Sequence, residues 1–163
     1  MGRRHDSLLP LTHDHHHALK QARLLRNAAD GSDEAALADA VAEFLSVYEG
    51  ELLTHFREEE EELLPLLPPD DPDARELTTR TLLEHVELHR LARSLRQGLE
   101  HGAPDRGTAQ AAAALLRAHI RMEEDRLFPL IERLVPDPDL SGVHLAPRER
   151  SVAAQPATPD RDA

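Results

Sequence analysis

The chain has 163 residues, a formal net charge of −12, eleven histidines and no cysteine. This length suits one domain with its own core, and the lack of cysteine excludes disulfides, thiolate metal ligands and a cysteine nucleophile. The negative charge argues against nucleic acid or an anionic membrane as partner; since neither a membrane-spanning apolar run nor a signal-peptide pattern is visible, we expect a cytoplasmic protein.

The composition favours helices throughout, because alanine, leucine, glutamate and arginine are strong helix formers and aromatic residues are scarce. The first predicted helix begins near Pro10 and ends at about Ala29, before an Asp-Gly pair. Ser32 is the predicted N-cap of the second helix, which extends towards Leu67 and is ended by a proline-rich stretch.

The third and fourth predicted helices follow after short connections. The third starts around Pro72, a favourable residue for a first turn, and runs to about Glu100. The fourth extends from about Thr108 to Val135 and is closed by a proline. Short connections between long helices favour antiparallel neighbours. We therefore predict an all-α domain over residues 1–136, an antiparallel up-down-up-down four-helix bundle with a metal site in its core.

The remaining segment, residues 137–163, is rich in proline, aspartate and alanine and shows no hydrophobic period. A segment of this composition lacks the apolar residues that a core needs. We predict that it is a C-terminal tail without a core of its own.

Two segments on the second and fourth predicted helices have nearly the same sequence. His55 is followed four residues later by Glu59, and His119 is followed four residues later by Glu123. Residues four apart lie on one face of a helix, so an imidazole nitrogen and a carboxylate oxygen can bind the same cation. The repeated pattern therefore predicts a metal site.

Both repeated segments also carry a proline ten residues after the histidine, Pro65 and Pro129. A proline inside a helix removes a backbone hydrogen bond and bends the helix. The matching positions predict that the two helices share one kink geometry.

The first and third predicted helices are similar to each other as well. The pair Asp14-His15 on the first corresponds to Glu84-His85 on the third, where His89 follows four residues later. All three histidines fall on, or next to, the apolar stripe that faces the core. The chain thus looks like a doubled helical hairpin, an arrangement suited to a site for two metal ions.

Nitrogen and oxygen donors without sulfur suit Fe, Mn, Zn or Cu. We expect one ion to be held by His85, His89 and His119 and the other by His15 and His55, with both glutamates as bridges. His16 borders the stripe and competes with His15 for the position on the first helix. The candidate metal ligands are therefore His15, His16, His55, Glu59, His85, His89, His119 and Glu123.

An alternative reading makes each buried histidine an ordinary hydrogen-bonded core residue. Burying so many polar and ionisable side chains without a cation would be costly, which favours the metal site. In the acidic run 58–62, only Glu59 lies on the stripe, so most of the other glutamates are predicted to form a solvated face, with Glu62 a candidate outer partner of the ligands. Asp14 and Glu84 are further candidates for that outer role.

These motifs resemble the hemerythrin family, in particular the HHE cation-binding domains, over about residues 8–135. The resemblance implies a non-haem di-iron centre, two Fe ions with an oxo or hydroxo bridge, inside a four-helix bundle. It also implies that the ion held by His15 and His55 keeps an open position for a ligand. Respiratory hemerythrins have an aspartate five residues after the fourth-helix histidine, whereas here Glu124 stands there and Glu123 at four is better placed.

We expect from this resemblance a protein that binds O2 or a related small diatomic or peroxide ligand as carrier, store or sensor. The alternative is a di-iron redox enzyme that acts on peroxide or nitric oxide. A third interpretation is a partner-binding bundle in which the metal only stabilises the fold. The sequence predicts neither the oligomeric state nor a role for the tail.

Overall fold

The computed structural model describes residues 4–146, which form helices and contain no strand. No helix in this range is both long and apolar enough to cross a lipid bilayer. The prediction of an all-helical protein is confirmed.

Four long helical segments, which we call the first to fourth helices, make up most of the described chain. The first is α1 (Leu9–Asp30), preceded by a 3-10 turn (Asp6–Leu8). The second, residues 34–66, consists of α2 (Glu34–Val47), a π turn (Tyr48–Leu52), α3 (Leu53–Glu58), a second π turn (Glu59–Leu63) and a 3-10 turn (Leu64–Leu66). The third is α4 (Pro72–Glu100). The fourth, residues 106–134, consists of α5 (Arg106–Met122), a π turn (Glu123–Leu127) and α6 (Phe128–Leu134).

An aspartate starts each of the second, third and fourth helices. The side chain of Asp33 accepts hydrogen bonds from the backbone N–H groups of Ala35 and Ala36, and Asp71 and Asp105 cap α4 and α5 in the same way. An N-cap carboxylate satisfies N–H groups that have no partner within the helix. The prediction of Ser32 as N-cap is therefore wrong by one residue.

Each long helix packs against two others, since α1 and α4 both contact α2 and α5. Contacts between the first and fourth helices join the start of one to the end of the other. Arg4, just before the first helix, donates to the Glu132 carboxylate, whereas Arg106 donates to the backbone carbonyl of Ala28. These contacts are those expected between antiparallel neighbours.

Two apolar clusters fill the core at different levels along the helices. One includes Leu25, Leu37, Val41, Leu95 and Leu116, and the other includes Leu11, Leu63, Leu77, Leu127 and Ile131. Between the two levels lies a layer in which the buried side chains are histidines and glutamates. Both sides of this polar layer are therefore closed by apolar packing that keeps water away.

The two prolines of the repeat follow π turns at matching positions. Pro65 stands two residues after the turn Glu59–Leu63, and Pro129 stands two residues after the turn Glu123–Leu127. Because proline has no N–H and its ring collides with the preceding turn, the helix widens there. The structure thus has the shared distortion that the prolines predicted, and each widened turn begins at the glutamate of the His-x-x-x-Glu motif.

The start of the predicted tail packs against the helical domain. Residues Asp137–Ser141 form a short helix, α7, in which Leu140 is buried in the second apolar cluster. The backbone N–H of Ala146 donates to the Glu58 carboxylate on the second helix. Residues 147–163 lie outside the described part of the chain, so the division at residue 136 stays a prediction.

Replacing Gly98 by alanine is expected to destabilise the protein by about 1–3 kcal/mol, because the site has no room for a side chain. A Cβ at this position of α4 would lie 2.9 Å from Cα of Pro104 and 3.2 Å from the carbonyl oxygen of Ala103, both backbone atoms. The measurement is the free energy of unfolding in urea.

Gly50→Ala is the matched control, since a Cβ there meets nothing within 4 Å. Alanine is the better helix former, so this variant should be more stable than the native protein by about 0.5–1 kcal/mol. Equal effects of the two substitutions would contradict the close contact at Gly98.

Candidate metal centre

Six of the eight predicted ligands come together in the polar layer, and every one is at most 2 % exposed. Each of the four long helices contributes at least one of them. They form two groups in which one nitrogen or oxygen atom from each residue lies within 4.8 Å of the others. The groups are His15, His55, Glu59 and Glu123, and Glu59, His85, His119 and Glu123.

Glu59 belongs to both groups and directs one carboxylate oxygen to each. Its Oε1 lies 3.3 Å from Nε2 of His55, and its Oε2 lies 3.3 Å from Nε2 of His85. A π turn begins at Glu59, at the point where its carboxylate lies between His55 and His85. Glu59 is therefore placed to bridge two cations.

Glu123 has the same arrangement on the opposite side. Its Oε1 lies 2.9 Å from Nε2 of His119, and its Oε2 lies 3.1 Å from Nε2 of His15. The first half of the chain thus relates to the second by an approximate twofold symmetry, which exchanges the two groups. This symmetry is the geometric form of the doubled hairpin seen in the sequence.

Each of the four histidines has a carboxylate beside its other ring nitrogen, Nδ1. A carboxylate only accepts hydrogen bonds, so Nδ1 carries the proton and the lone pair of Nε2 points into the centre. Such partners also fix the ring orientation of metal-bound histidines. The pairs are His15 with Glu124 at 2.6 Å, His55 with Asp14 at 3.2 Å, His85 with Glu60 at 2.7 Å and His119 with Glu84 at 2.9 Å.

The Nε2 atoms meet in two close pairs. They are 3.1 Å apart between His15 and His55, and 3.2 Å apart between His85 and His119. When both rings of a pair are neutral and protonated at Nδ1, as in a metal-bound state, the two Nε2 lone pairs face each other with no proton between them. A cation between the rings would accept both lone pairs.

The bridging carboxylates also fit a metal. Both oxygens of Glu59 and both oxygens of Glu123 are buried, and within residues 4–146 none of them has a hydrogen-bond partner. A buried carboxylate without hydrogen bonds is costly unless a cation compensates its charge. The nitrogen and oxygen donors present here are those of divalent iron, manganese, zinc or copper sites.

The electrostatics of the layer favour positive charge at the histidines. Burial alone would lower the pKa of His55 and of His119, but the nearby carboxylates raise each pKa to about 10. Burial would likewise raise the pKa of Glu123, yet His119 and His15 hold it well below its usual value. Because the field stabilises protons at these nitrogens, it also stabilises a metal ion that replaces them.

The outer carboxylate Glu124 is held firmly in its charged form. Burial would raise its pKa, but hydrogen bonds from His15 and Arg4 lower that pKa to about 2. Thr12 donates a further hydrogen bond to the same carboxylate. Glu124 is therefore ionised near pH 7, where it accepts the hydrogen bond that orients His15.

Two of the predicted ligands lie outside both groups. His16 is exposed, whereas His15 is buried and belongs to the first group, so the geometry favours His15 on the first helix. His89 is also exposed, and its Nδ1 accepts a hydrogen bond from the Tyr48 hydroxyl. Partial burial, together with the nearby His85, lowers the pKa of His89 below its usual value. Each group thus contains two histidines, whereas we expected three on one ion and two on the other.

The acidic run on the second helix needs a second correction. Glu60, which we expected on a solvated face, pairs with His85, whereas Glu62 is exposed and makes no hydrogen bond or ion pair in the described part of the chain. Glu124 was missed as an outer partner too. The available signal was the repeat itself, because Glu60 follows Glu59 just as Glu124 follows Glu123.

Phenylalanine rings lie against one histidine of each group. The Phe56 ring stacks on His85 with centroids 4.1 Å apart, and the Phe128 ring stacks on His15 with centroids 5.4 Å apart. Both rings are at most 2 % exposed. They hold the imidazole planes in place and close the centre to water.

Glu60→Ala is expected to weaken metal binding by about 10–100-fold, because His85 loses the acceptor that orients its ring. Competition with a chromophoric chelator measures the change in affinity. Glu62→Ala on the same helix is the matched control and should leave the affinity unchanged, and similar losses in both variants would contradict the outer role of Glu60.

The comparison with known families agrees with this geometry. A family model described as the hemerythrin HHE cation-binding domain matches residues 10–131, which include all six clustered residues. The chain therefore belongs to the hemerythrin HHE family. No curated protein and no solved structure matched the chain.

Proposed function

We propose that this protein is a non-haem di-iron protein that binds O2 or a related small ligand reversibly, as a carrier, store or sensor. We further propose that its fold is the antiparallel up-down-up-down bundle. The observation that carries the function is the pair of buried groups that share Glu59 and Glu123. Each group offers four donor residues, so an ion that prefers six ligands keeps positions for a small molecule.

In this proposal His15 and His55 hold one ion and His85 and His119 hold the other. Bound iron would supply reversible electron transfer and open coordination positions. The protein residues orient the imidazoles through their outer carboxylates and exclude water with the two apolar clusters. A dry, apolar surrounding suits reversible binding, because excluding water and protons slows autoxidation of the bound metal.

Bound O2 or another diatomic or peroxide molecule is the proposed ligand. We continue to expect no nucleic-acid or membrane partner, on the basis of the net charge of −12, and a cytoplasmic location.

Metal analysis of the purified protein, together with its visible spectrum, tests the proposal. We expect two irons per chain, matching the two groups, and charge-transfer bands that change reversibly when O2 is added and removed. One zinc per chain with a featureless spectrum would contradict it.

One observation favours the alternative, a di-iron redox enzyme acting on peroxide or nitric oxide. Thr81, four residues before His85, is fully buried, and its hydroxyl has no hydrogen-bond partner among the described residues. The equivalent residue on the first helix is Leu11, which has no hydroxyl, so only the half of the centre that contains His85 has this group nearby in sequence. A buried hydroxyl one helical turn from His85 is a candidate group for proton delivery. Continuous consumption of peroxide or nitric oxide in stopped-flow mixing would favour the enzyme.

A further inference from the structure

Tyr48 is the single tyrosine of a chain that has no tryptophan and no cysteine. It is therefore the side chain best suited to lose one electron. Its ring is 6 % exposed, and its hydroxyl donates a hydrogen bond to Nδ1 of His89. A buried phenol with an imidazole acceptor can release its electron and its proton together, because the proton has a place to go.

A continuous series of rings joins Tyr48 to the metal centre. The Phe56 ring centroid lies 6.4 Å from that of Tyr48, 4.1 Å from that of His85 and 5.7 Å from that of His119. At the other end, the His89 ring centroid lies 6.0 Å from that of Tyr48. Since His89 is exposed, the series connects the buried centre with the surface.

The pair of Tyr48 and His89 has no equivalent in the other half of the approximately symmetric structure. The residue that corresponds to Tyr48 in the second half is Ala112, within the regular helix α5. Tyr48 instead begins a π turn, Tyr48–Leu52, that has no counterpart in the fourth helix. π turns are frequent at functional sites. The tyrosine, its acceptor and the local widening are thus an addition on one side of a symmetric centre.

We propose that Tyr48 and His89 form a redox relay that carries one oxidising equivalent from the metal centre to the protein surface. The proposal rests on the di-iron centre proposed above and on its alternative function, reaction with peroxide, which is the oxidant of the centre. Tyr48 would give one electron to the bound, oxidised metal, while its phenolic O–H bond breaks and the proton moves to Nδ1 of His89. This leaves a neutral tyrosyl radical and an imidazolium, and the metal would accept the one electron.

A soluble one-electron reductant then restores the pair. It gives one electron to the tyrosyl radical, and the proton returns from His89 to the phenol oxygen, so that electrons and protons balance over the cycle. The exposed ring of His89 is the part of the relay that such a reductant can approach. Oxidising equivalents that remain at the centre would otherwise attack its own ligands.

Freeze-quench electron paramagnetic resonance of the iron-loaded protein mixed with hydrogen peroxide tests the relay. We expect a tyrosyl radical in the native protein and none in Tyr48→Phe. In His89→Leu the radical should form at least about tenfold more slowly, because the proton acceptor is lost, with unchanged iron content.

A second arm uses the zinc-loaded protein, whose metal is not redox-active, and a flash-generated one-electron oxidant in solution. We expect Tyr48 to be oxidised here as well, again at least about tenfold more slowly in His89→Leu. Equal rates in the native protein and His89→Leu in both arms would overturn the relay and make the hydrogen bond purely structural.

The iron spectrum distinguishes failure of the relay from failure of the proposed function. If peroxide changes that spectrum but no tyrosyl radical forms, the relay is overturned and the di-iron function stands. If peroxide leaves the iron spectrum unchanged, the redox function fails, and the relay fails with it for want of an oxidant.

Discussion

Replacing Glu59 by alanine is expected to remove both metal ions, although it deletes a single side chain. One oxygen of Glu59 lies beside His55 and the other beside His85, so each of the two groups loses a donor. Because loss of an outer partner alone costs about 10–100-fold in affinity, loss of a bridging ligand should cost more than about 100-fold. Metal content after dialysis, together with a competition titration, measures the effect.

His15→Ala provides a sharper comparison than an unrelated surface variant. His15 belongs to one group only, so this change should remove one ion and leave the site of His85 and His119 occupied. Glu123→Ala should match Glu59→Ala, because the approximate symmetry exchanges the two residues. If Glu59→Ala and His15→Ala lose the same amount of metal, the bridging assignment is wrong.

Removing the metal by chelation is expected to lower the melting temperature by about 10 °C while leaving the protein helical. A ligand present at about 1,000 times its Kd stabilises the folded state by about 4 kcal/mol, and a chain of this size changes by about 2–4 °C per kcal/mol. The apoprotein should stay folded, because the raised pKa values of His55 and His119 let protons replace part of the lost positive charge. Calorimetry and circular dichroism measure the two properties.

The matched control for chelation is the Glu59→Ala variant, which should hold no metal to remove. Its melting temperature should not respond to the chelator. If complete removal of metal leaves the melting temperature of the native protein unchanged, then metal bound at the two groups does not stabilise the fold, and the prediction is wrong.

The helices could be predicted from the sequence because their signals are local. Pro72 and Glu100 bound the third helix as predicted, since a first-turn proline and a following Gly-Pro segment act within a few residues. The N-cap of the second helix was misplaced because Ser32 and Asp33 are both good caps and their sequence context does not separate them. The packing of Leu140 onto the bundle was not predicted, because it depends on a surface formed by distant residues.

Six of the eight candidate ligands cluster in the structure. The other two lie outside the cluster, and both were misplaced for the same reason. His16 and His89 were chosen from spacing alone, which places residues on a helix face only to within the width of a stripe. The second and fourth helices widen into π turns at the residue four after the histidine, and there that residue reaches the centre. The helix α4 remains regular, and His89 lies on the surface.

The outer carboxylates could be predicted only in part. Asp14 and Glu84 were candidates because each precedes a histidine, but each in fact pairs with a histidine on a different helix, His55 and His119 respectively. Glu60 reaches His85 across 25 positions of sequence. Such pairings depend on how helices are rotated against each other, and local patterns carry no information about that rotation.

The approximate symmetry of the centre has a consequence for how such a protein arises. Each half of the chain contributes one helix with an acid-histidine pair and one with a His-x-x-x-Glu motif, and neither half completes a group by itself. A single hairpin of about half this length, paired with a second copy of itself, would place equivalent donors around two cations. Duplication and fusion of a gene for such a hairpin would join the two copies, after which each could diverge, as Tyr48 opposite Ala112 and Thr81 opposite Leu11 have done.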